Sequence, residues 1–394
     1  MHTRALAFLQ ELIRPALAKL QSCQDVYEEN LLTPFARVHL ADSTGFELPE
    51  SLKHPFPGSG GSVAQAGAKL PLAWDYNSRG FHHFALTPWN MPDQQDIDTV
   101  VTLARHDDLF IVDLGYVKIN ALARIAAAPA DFLCRLNHQT TILAAVADRV
   151  APVALAPCLA TVESPIVQKP SLLGVNERVA SRLIASRVPV AVVKARRRMA
   201  RKNAKKTGYT PSQAHLAFLA WNLLITNVPP TIWPPQTGLR VYPLRWQVEL
   251  IFQSWKRSRH LATLKTTKQH TTLCYLYGRM LLMLLNDALC PQRRATRWLK
   301  RRRALSLLKL VRHFQALAER WMQALLQSEI ELRRFRQRAC ATAERLVLKA
   351  SRKRGTTAQR LRERLTKQNA ALVCVEAVNA SLHAHAPGGA LRPT

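Results

Sequence analysis

A chain of 394 residues can bury a sizeable core and hold two or three domains or subdomains. Its 56 lysines and arginines against 26 acids leave a net charge of +30 and a pI near 10.7, which points to a polyanionic partner, nucleic acid being the commonest. The seven cysteines are scattered and form no Cys-x-x-Cys pair, so a disulfide framework and a zinc site are disfavoured and a reduced cytosol suits them better.

Met1 to Leu20 carries Arg4, Glu11, Arg14 and Lys19 within an apolar pattern and reads as an amphipathic helix, not a secretory signal. From residue 35 short strands alternate with helices. Arg37 to Leu48 reads as a strand with Val38, Leu40 and Asp42 on one face. Leu70 to Tyr76 and Phe81 to Leu86 read as two more, joined at the turn signal Asn77-Ser-Arg-Gly80. Asp96 to Arg105 has helical spacing, Leu109 to Val112 is a buried strand ending at Asp113, Lys118 to Ala127 a helix, and Phe132 to Leu136 a further strand.

The interval from Asp113 to Glu249, 136 residues, is too long for a simple connection, so 140–235 is expected to hold a largely β insertion, with Val188 to Val193 among its strands. Within it, Lys194 to Lys206 contains eight basic residues and no acid, which reads as a solvated loop or as a contact to a nucleic-acid backbone. Residues 207–239 lack Asp, Glu, Lys and Arg, but their continuous apolar part, Leu216 to Val228, is too short to span a bilayer of about 30 Å. With no lipidation motif and no isolated basic amphipathic anchor either, the chain reads as soluble. Beyond 290 the chain is helical in pattern and strongly basic to about 368, and 369–394 reads as a frayed tail. His82-His83 and His383-x-His385 lack convergent partners and read as surface or packing residues.

The segment Tyr242 to Lys256 carries the densest chemistry. At about 100° per residue, Arg245, Glu249 and Lys256 share one band of a helix beside an apolar stripe of Leu244, Val248, Ile251 and Trp255, and Pro243 suits the first turn. A carboxylate there can hold a metal ion while the flanking cations hold phosphate oxygens; the ordinary alternative is a helix with intrahelical ion pairs.

This Tyr-(2)-Arg-(3)-Glu-(6)-Lys spacing resembles the signature of DDE transposases from bacterial insertion sequences of the IS-four family. Val38-His-Leu-Ala-Asp42-Ser-Thr-Gly-Phe resembles that family's first acidic block and Leu109-Phe-Ile-Val-Asp113-Leu-Gly-Tyr116 its second, in the right order, so the likeness runs from about residue 30 to about 285. The resemblance implies a mixed α/β fold: a ribonuclease H-like catalytic core in two parts (31–139 and 236–290), a β-rich insertion (140–235), an N-terminal helical segment (1–30) and a basic helical C-terminal region (291–368) before the tail. It implies Asp42, Asp113 and Glu249 as catalytic ligands of Mg²⁺, with Mn²⁺ able to substitute, and a cut-and-paste reaction on double-stranded DNA by a homodimer in a bacterial cytoplasm, at the nucleoid. Asp75, Asp107, Asp108, Asp131 and Glu47 read instead as solvated or turn carboxylates.

The same likeness puts Arg245 and Lys256 on phosphates, and Tyr242 either on a phosphate or packed on the core. Arg196, Arg197, Arg198, Arg201 and Lys202 become candidate DNA-backbone contacts. Trp221 is either a core residue or the insertion aromatic that related transposases use to hold a flipped base. Only 41 residues precede Asp42, where the family usually has a helical domain for terminal repeats, so the chain reads as short at its N-terminus. A non-catalytic DNA-binding remnant and a nuclease that cuts without joining are the rival readings.

Overall fold

The computed structural model describes residues 2–20, 31–59, 65–78, 80–116, 118–137, 139–146, 149–259, 268–288, 309, 313 and 316–346. The basic run Arg293 to Arg303 and the tail 369–394 lie outside these residues.

The fold is mixed α/β around one large sheet. Its first strands are β1 (Arg37–Glu47), β2 (Gly67–Asp75), β3 (Phe81–Phe84) and the two-residue β4 (Thr87–Pro88), followed by α2 (Asp93–Val101), while α1 (His2–Leu20) precedes them. Next come β5 (Asp108–Val112), α3 (Ile119–Ala127) and β6 (Asp131–Arg135). The sheet order β3-β2-β1-β5-β6 combines an antiparallel meander with two parallel additions, β5 beside β1 and β6 beside β5, which is the ribonuclease H-like arrangement.

Local chemistry explains the meander. The Asp75 carboxylate, 1% exposed, accepts from the backbone N–H groups of Asn77, Ser78 and Val38, so it closes the β2–β3 turn while pinning β1. Gly45 and Gly67 leave room for the Trp89 ring, since a Cβ would stand 2.8 Å and 2.2 Å from it. Asp108 departs from the expected solvated carboxylate: it is fully buried, paired with Arg37 and 3.3 Å from His39 Nε2, so it belongs to an internal ion pair at the start of β5.

The segment 140–235, where an insertion is expected, continues the same sheet. It comprises β7 (Ile142–Val146), β8 (Arg149–Pro152), α4 (Leu155–Ala160), β9 (Ile166–Leu173), β10 (Val179–Arg187), α5 (Val190–Thr207), α6 (Gln213–Phe218) and β11 (Trp221–Thr226). β11 lies antiparallel against β6, and β10, β9, β7 and β8 follow outward. Val188 to Val193 is not a strand. Pro189 caps a helix that runs through the basic segment to Gly208, whose φ of 73° ends it. Val190-Ala-Val-Val193 favours a strand locally, but the Ala, Arg and Lys that follow are strong helix formers and Pro suits a helix start. The segment Lys194 to Lys206, read as a solvated loop or as a contact to a nucleic-acid backbone, is therefore helical.

The chain then returns over the sheet through α7 (Pro235–Val241), a 3-10 turn (Tyr242–Arg245) and α8 (Trp246–Arg259). Helix α9 (Gln269–Ala288) packs against α1, and α10 (Ala318–Gln327) pairs with α11 (Glu329–Leu346) through an edge-on Trp321–Phe335 contact. The two sheet faces differ. Phe110, Val112, Phe132, Cys134, Leu223 and Ile225 face an apolar core closed by α2 and α3. Leu40, Ile111, Leu133 and Leu224 lie on the other face, beneath Val241, Leu244 and Val248 of the returning segment. Gly238 lets α7 approach closely, as a Cβ there would meet Ile184 at 3.1 Å.

Candidate active site

Strand register brings the two aspartates together. Ala41 of β1 pairs with Val112 of β5, and Val112 with Cys134 of β6, all in parallel. The next residue on each strand is Asp42, Asp113 and Arg135. With side chains alternating, all three share the face of Leu40, Ile111 and Leu133, at the strands' C-terminal ends. Open sheets gather their ligands at such strand ends.

The returning segment supplies the third acid. Its stripe is buried as its periodicity requires: Leu244, Val248, Ile251 and Trp255 are each 5% exposed or less. That anchoring puts Arg245, 6% exposed, over the strand ends. Its Nη1 lies 3.1 Å from Asp42 Oδ2, its Nη2 3.0 Å from Glu249 Oε1, and its Nε 3.7 Å from Asp113 Oδ1. Tyr242 donates its hydroxyl to Asp113 Oδ1 at 3.1 Å. Asp42, Asp113, Glu249, Tyr242 and Arg245 are thus one constellation drawn from two strands and one helical segment.

Its electrostatics are those of crowded carboxylates. Burial pushes the Asp42 carboxyl up to about 6; the Ser43 N–H and Arg245 oppose this, and Asp113 and Glu249 add to it. Burial also raises the Tyr242 phenol, helped by the Asp113 charge. Burial works against the charge of Arg245, yet Asp113, Tyr242, Asp42 and Glu249 together hold its guanidinium more firmly protonated than usual.

The donor set fits a hard divalent cation, which takes carboxylate oxygens and needs few of them. Among the described residues, however, no three His, Cys, Asp or Glu side chains are grouped closely enough to hold an ion by themselves. Arg245 stands at the point where the three carboxylates converge. Lys256 is exposed two turns beyond Glu249 and has no ion-pair partner among the described residues; partial desolvation lowers its pKa.

The basic helix α5 divides its residues by face. Lys194, Arg198, Arg201, Lys202 and Lys205 are exposed and lie along one side, a stripe about 17 Å long at 1.5 Å per residue. Arg196 and Arg197 turn inward. Arg196 donates to the Trp221 carbonyl at 3.2 Å and the Asn222 side chain at 2.8 Å, and Arg197 to the Leu216 carbonyl at 3.0 Å. They fasten the helix to β11 and α6.

Trp221 belongs to the opposite face from the carboxylates. It is 7% exposed in the apolar core with Leu223 and Ile225, and the Arg187 guanidinium lies 4.7 Å from its ring. Its burial favours the core reading over base stacking. Two residues that sequence reasoning missed are better presented. Arg135 is exposed beside Asp113, near enough to Tyr242 and Arg196 to act on both electrostatically. Trp246 is 55% exposed, with Arg245 Cζ 4.8 Å from its ring. A lone arginine ending a strand carries no motif; its meaning comes from pairing with β5. Trp246 was visible beside Arg245, at a position outside the apolar stripe.

The family model for the transposase DDE domain matches residues 33–285. The chain is 26% identical over 314 residues to the transposase for insertion sequence element IS231F of Bacillus thuringiensis subsp. israelensis, covering 75% of this chain and 65% of that relative. It is 27% identical over 324 residues to the IS231C transposase of Bacillus thuringiensis subsp. berliner (78% and 68% covered), and 27% over 301 residues to the IS1151 transposase of Clostridium perfringens (72% and 63%). The matches thus span just under two thirds of the IS231F and IS1151 transposases. The family match takes in the sheet from β1 to β11 and the helical segment that carries Tyr242, Arg245, Glu249 and Lys256, and the chain belongs to the DDE-domain transposases.

Proposed function

We propose that this chain carries the catalytic core of an insertion-sequence transposase, which cuts double-stranded DNA at the element's ends and joins the freed 3′-hydroxyl to target DNA. The observation that carries this reading is the convergence of Asp42, Asp113 and Glu249 on Arg245, from three elements widely separated in sequence. In this reading 31–139 and 236–290 build the catalytic core, and the protein works as a dimer on paired ends.

Asp42, Asp113 and Glu249 would hold divalent ions, Mg²⁺ or Mn²⁺. Such ions, when bound, activate the attacking oxygen and stabilise the leaving oxygen of an in-line phosphoryl displacement. The chain's own cations orient the substrate. Arg245 offers a planar fork suited to two phosphate oxygens, Lys256 a point charge further along the same helix, and Tyr242 a hydroxyl held toward Asp113. Arg135 extends this cationic surface from Asp113 toward Arg196, and the exposed stripe of α5 tracks the duplex backbone without reading sequence.

The test uses labelled duplexes carrying the inverted repeats that flank the coding region, incubated with Mg²⁺ and a target plasmid. Cleavage followed by joined products supports the reading. Cleavage without joining would identify a nuclease of the same fold, and binding without cleavage a DNA-binding remnant; either result overturns it.

A further inference from the structure

We infer that Arg245 is the internal counter-ion of the carboxylate site, and that its exchange onto DNA phosphate couples ion binding to DNA binding. This rests on the reading that Asp42, Asp113 and Glu249 hold divalent ions.

One guanidinium serves three carboxylates and serves them unequally. Two contacts, to Asp42 and Glu249, are at hydrogen-bond distance. The third, from Nε to Asp113, is 3.7 Å, and Nε is a buried donor with no hydrogen-bond acceptor. A fully committed structural arginine has its donors matched; this one is held by charge more than by geometry.

A divalent ion and this guanidinium compete for the same oxygens. When an ion takes those oxygens, Arg245 is deprived of its acceptors and faces an added positive charge at close range. A buried, unpaired guanidinium is strongly disfavoured, so it must find another anion. Among the described residues, Trp246 offers an exit: its exposed ring already lies 4.8 Å from Arg245 Cζ. Outward movement keeps the guanidinium on a cation–π surface while it reaches a phosphate, whose oxygens suit its planar fork. DNA therefore strengthens ion binding by removing the competitor, and ions strengthen DNA binding by the same factor. Without DNA, Arg245 occupies the carboxylate oxygens and offsets part of their charge, so the site loads ions weakly.

The experiment measures Mn²⁺ binding to the full chain by electron paramagnetic resonance of free Mn²⁺, with and without a short non-cleavable duplex. For the wild type, the duplex should tighten Mn²⁺ at least about tenfold, within the usual 5–150-fold range of such coupling. Arg245→Gln should bind Mn²⁺ about tenfold tighter than wild type without DNA and gain less than about threefold from the duplex. Lys256→Gln removes the same charge from the same helical segment without touching the carboxylates, and should change DNA-free affinity less than about twofold. Arg245→Lys keeps the charge but loses the fork and should fall between wild type and Arg245→Gln, which guards against a folding defect in either variant. The inference is overturned if Arg245→Gln binds no tighter than wild type, if Lys256→Gln gains equally, or if the duplex effect survives in Arg245→Gln. If Asp42→Asn and Asp113→Asn both leave Mn²⁺ binding unchanged, the functional reading fails first, and the inference with it.

Discussion

Two buried arginines hold the two ends of one connection, and they are satisfied in opposite ways. Arg182 on β10, 5% exposed, donates Nε to the Val228 carbonyl and Nη2 to the Trp233 carbonyl, both at 2.6 Å, and Nη1 to Gln168 at 2.7 Å. Its partners are neutral and mostly backbone, and they fix the stretch from β11 into α7. Arg245, at the far end of α7 and its 3-10 turn, is equally buried but surrounded by carboxylates, with one N–H unmatched. A guanidinium cradled by carbonyls has no competitor, because a cation arriving there would find no concentrated negative charge. A guanidinium cradled by three acids occupies a place that any hard cation seeks. The first is a permanent fastening and the second an exchangeable charge.

The largest effect separates chemistry from folding. Asp113→Asn should lower DNA cleavage by roughly 10³-fold or more, since several kcal/mol of transition-state stabilisation depend on the metal ligands. Its melting temperature should stay within a few degrees of wild type. A variant that cleaves at wild-type rate would break the contrast outright, making the carboxylate region as structural as the Arg182 cradle.

Arg182→Met should do the reverse. Two buried carbonyls are left without their donor at about 1–3 kcal/mol each, and the half-buried Gln168 loses its partner too, so a loss near 3 kcal/mol is expected, with melting lowered by about 5 °C or more. Arg182→Lys should rescue little, because a point charge cannot reach three separated acceptors. Calorimetry on both variants checks this, and full stability of Arg182→Met would show the cradle to be incidental.

A pH series sharpens the difference further. The folded Asp42 carboxyl titrates at about 6 against 3.8 for the ordinary group, so the folded protein holds this proton more tightly. Its contribution therefore favours the fold below 3.8 and is lost as pH rises through about 6. In chelator at pH 8, Asp42→Asn should be more stable than wild type by about 2 kcal/mol, and the gap should close toward pH 4. A gap independent of pH would mean that Asp42 is not strained by burial and by its neighbours.

The Arg245 side of this contrast was legible in the sequence, whereas Arg182, a lone arginine inside a strand, was not. Leu109 to Val112 is an apolar run ended by an acid, and Arg245 and Glu249 stand four apart on a helix, so short-range periodicity placed them on their elements, while their joint role came from the resemblance to DDE transposases. The fold class followed from the order of such runs. What escaped depends on pairing. Arg135 gains its place from alignment with Asp113, and the choice between the two readings of Trp221 leans to the core one because β11 turns that ring to the far face. Helix α5 escaped because Val190 to Val193 favours a strand in isolation, and only the whole segment from Pro189 to Gly208 declares a helix.

The smallest effect tests the same distinction on α5, where Arg196 and Arg198 are two residues apart and face opposite ways. Arg196 is committed to the carbonyl of Trp221 and the side chain of Asn222, as Arg182 is to its own acceptors. Arg198 and Arg201 are exposed and available to phosphate. Replacing both exposed arginines with alanine should reduce the slope of log affinity against log salt by about 1.8, near 0.9 for each phosphate no longer neutralised. The weakening should be the same on a scrambled duplex, because phosphate contacts carry no sequence information. Arg196→Ala should leave the slope within about 0.3 of wild type while lowering stability by roughly 1 kcal/mol, the scale of the hydrogen bonds it gives up. If Arg196→Ala instead flattens the salt dependence and the exposed pair does not, the inward arginines are the ones that meet DNA, and α5 must leave β11 when the duplex binds.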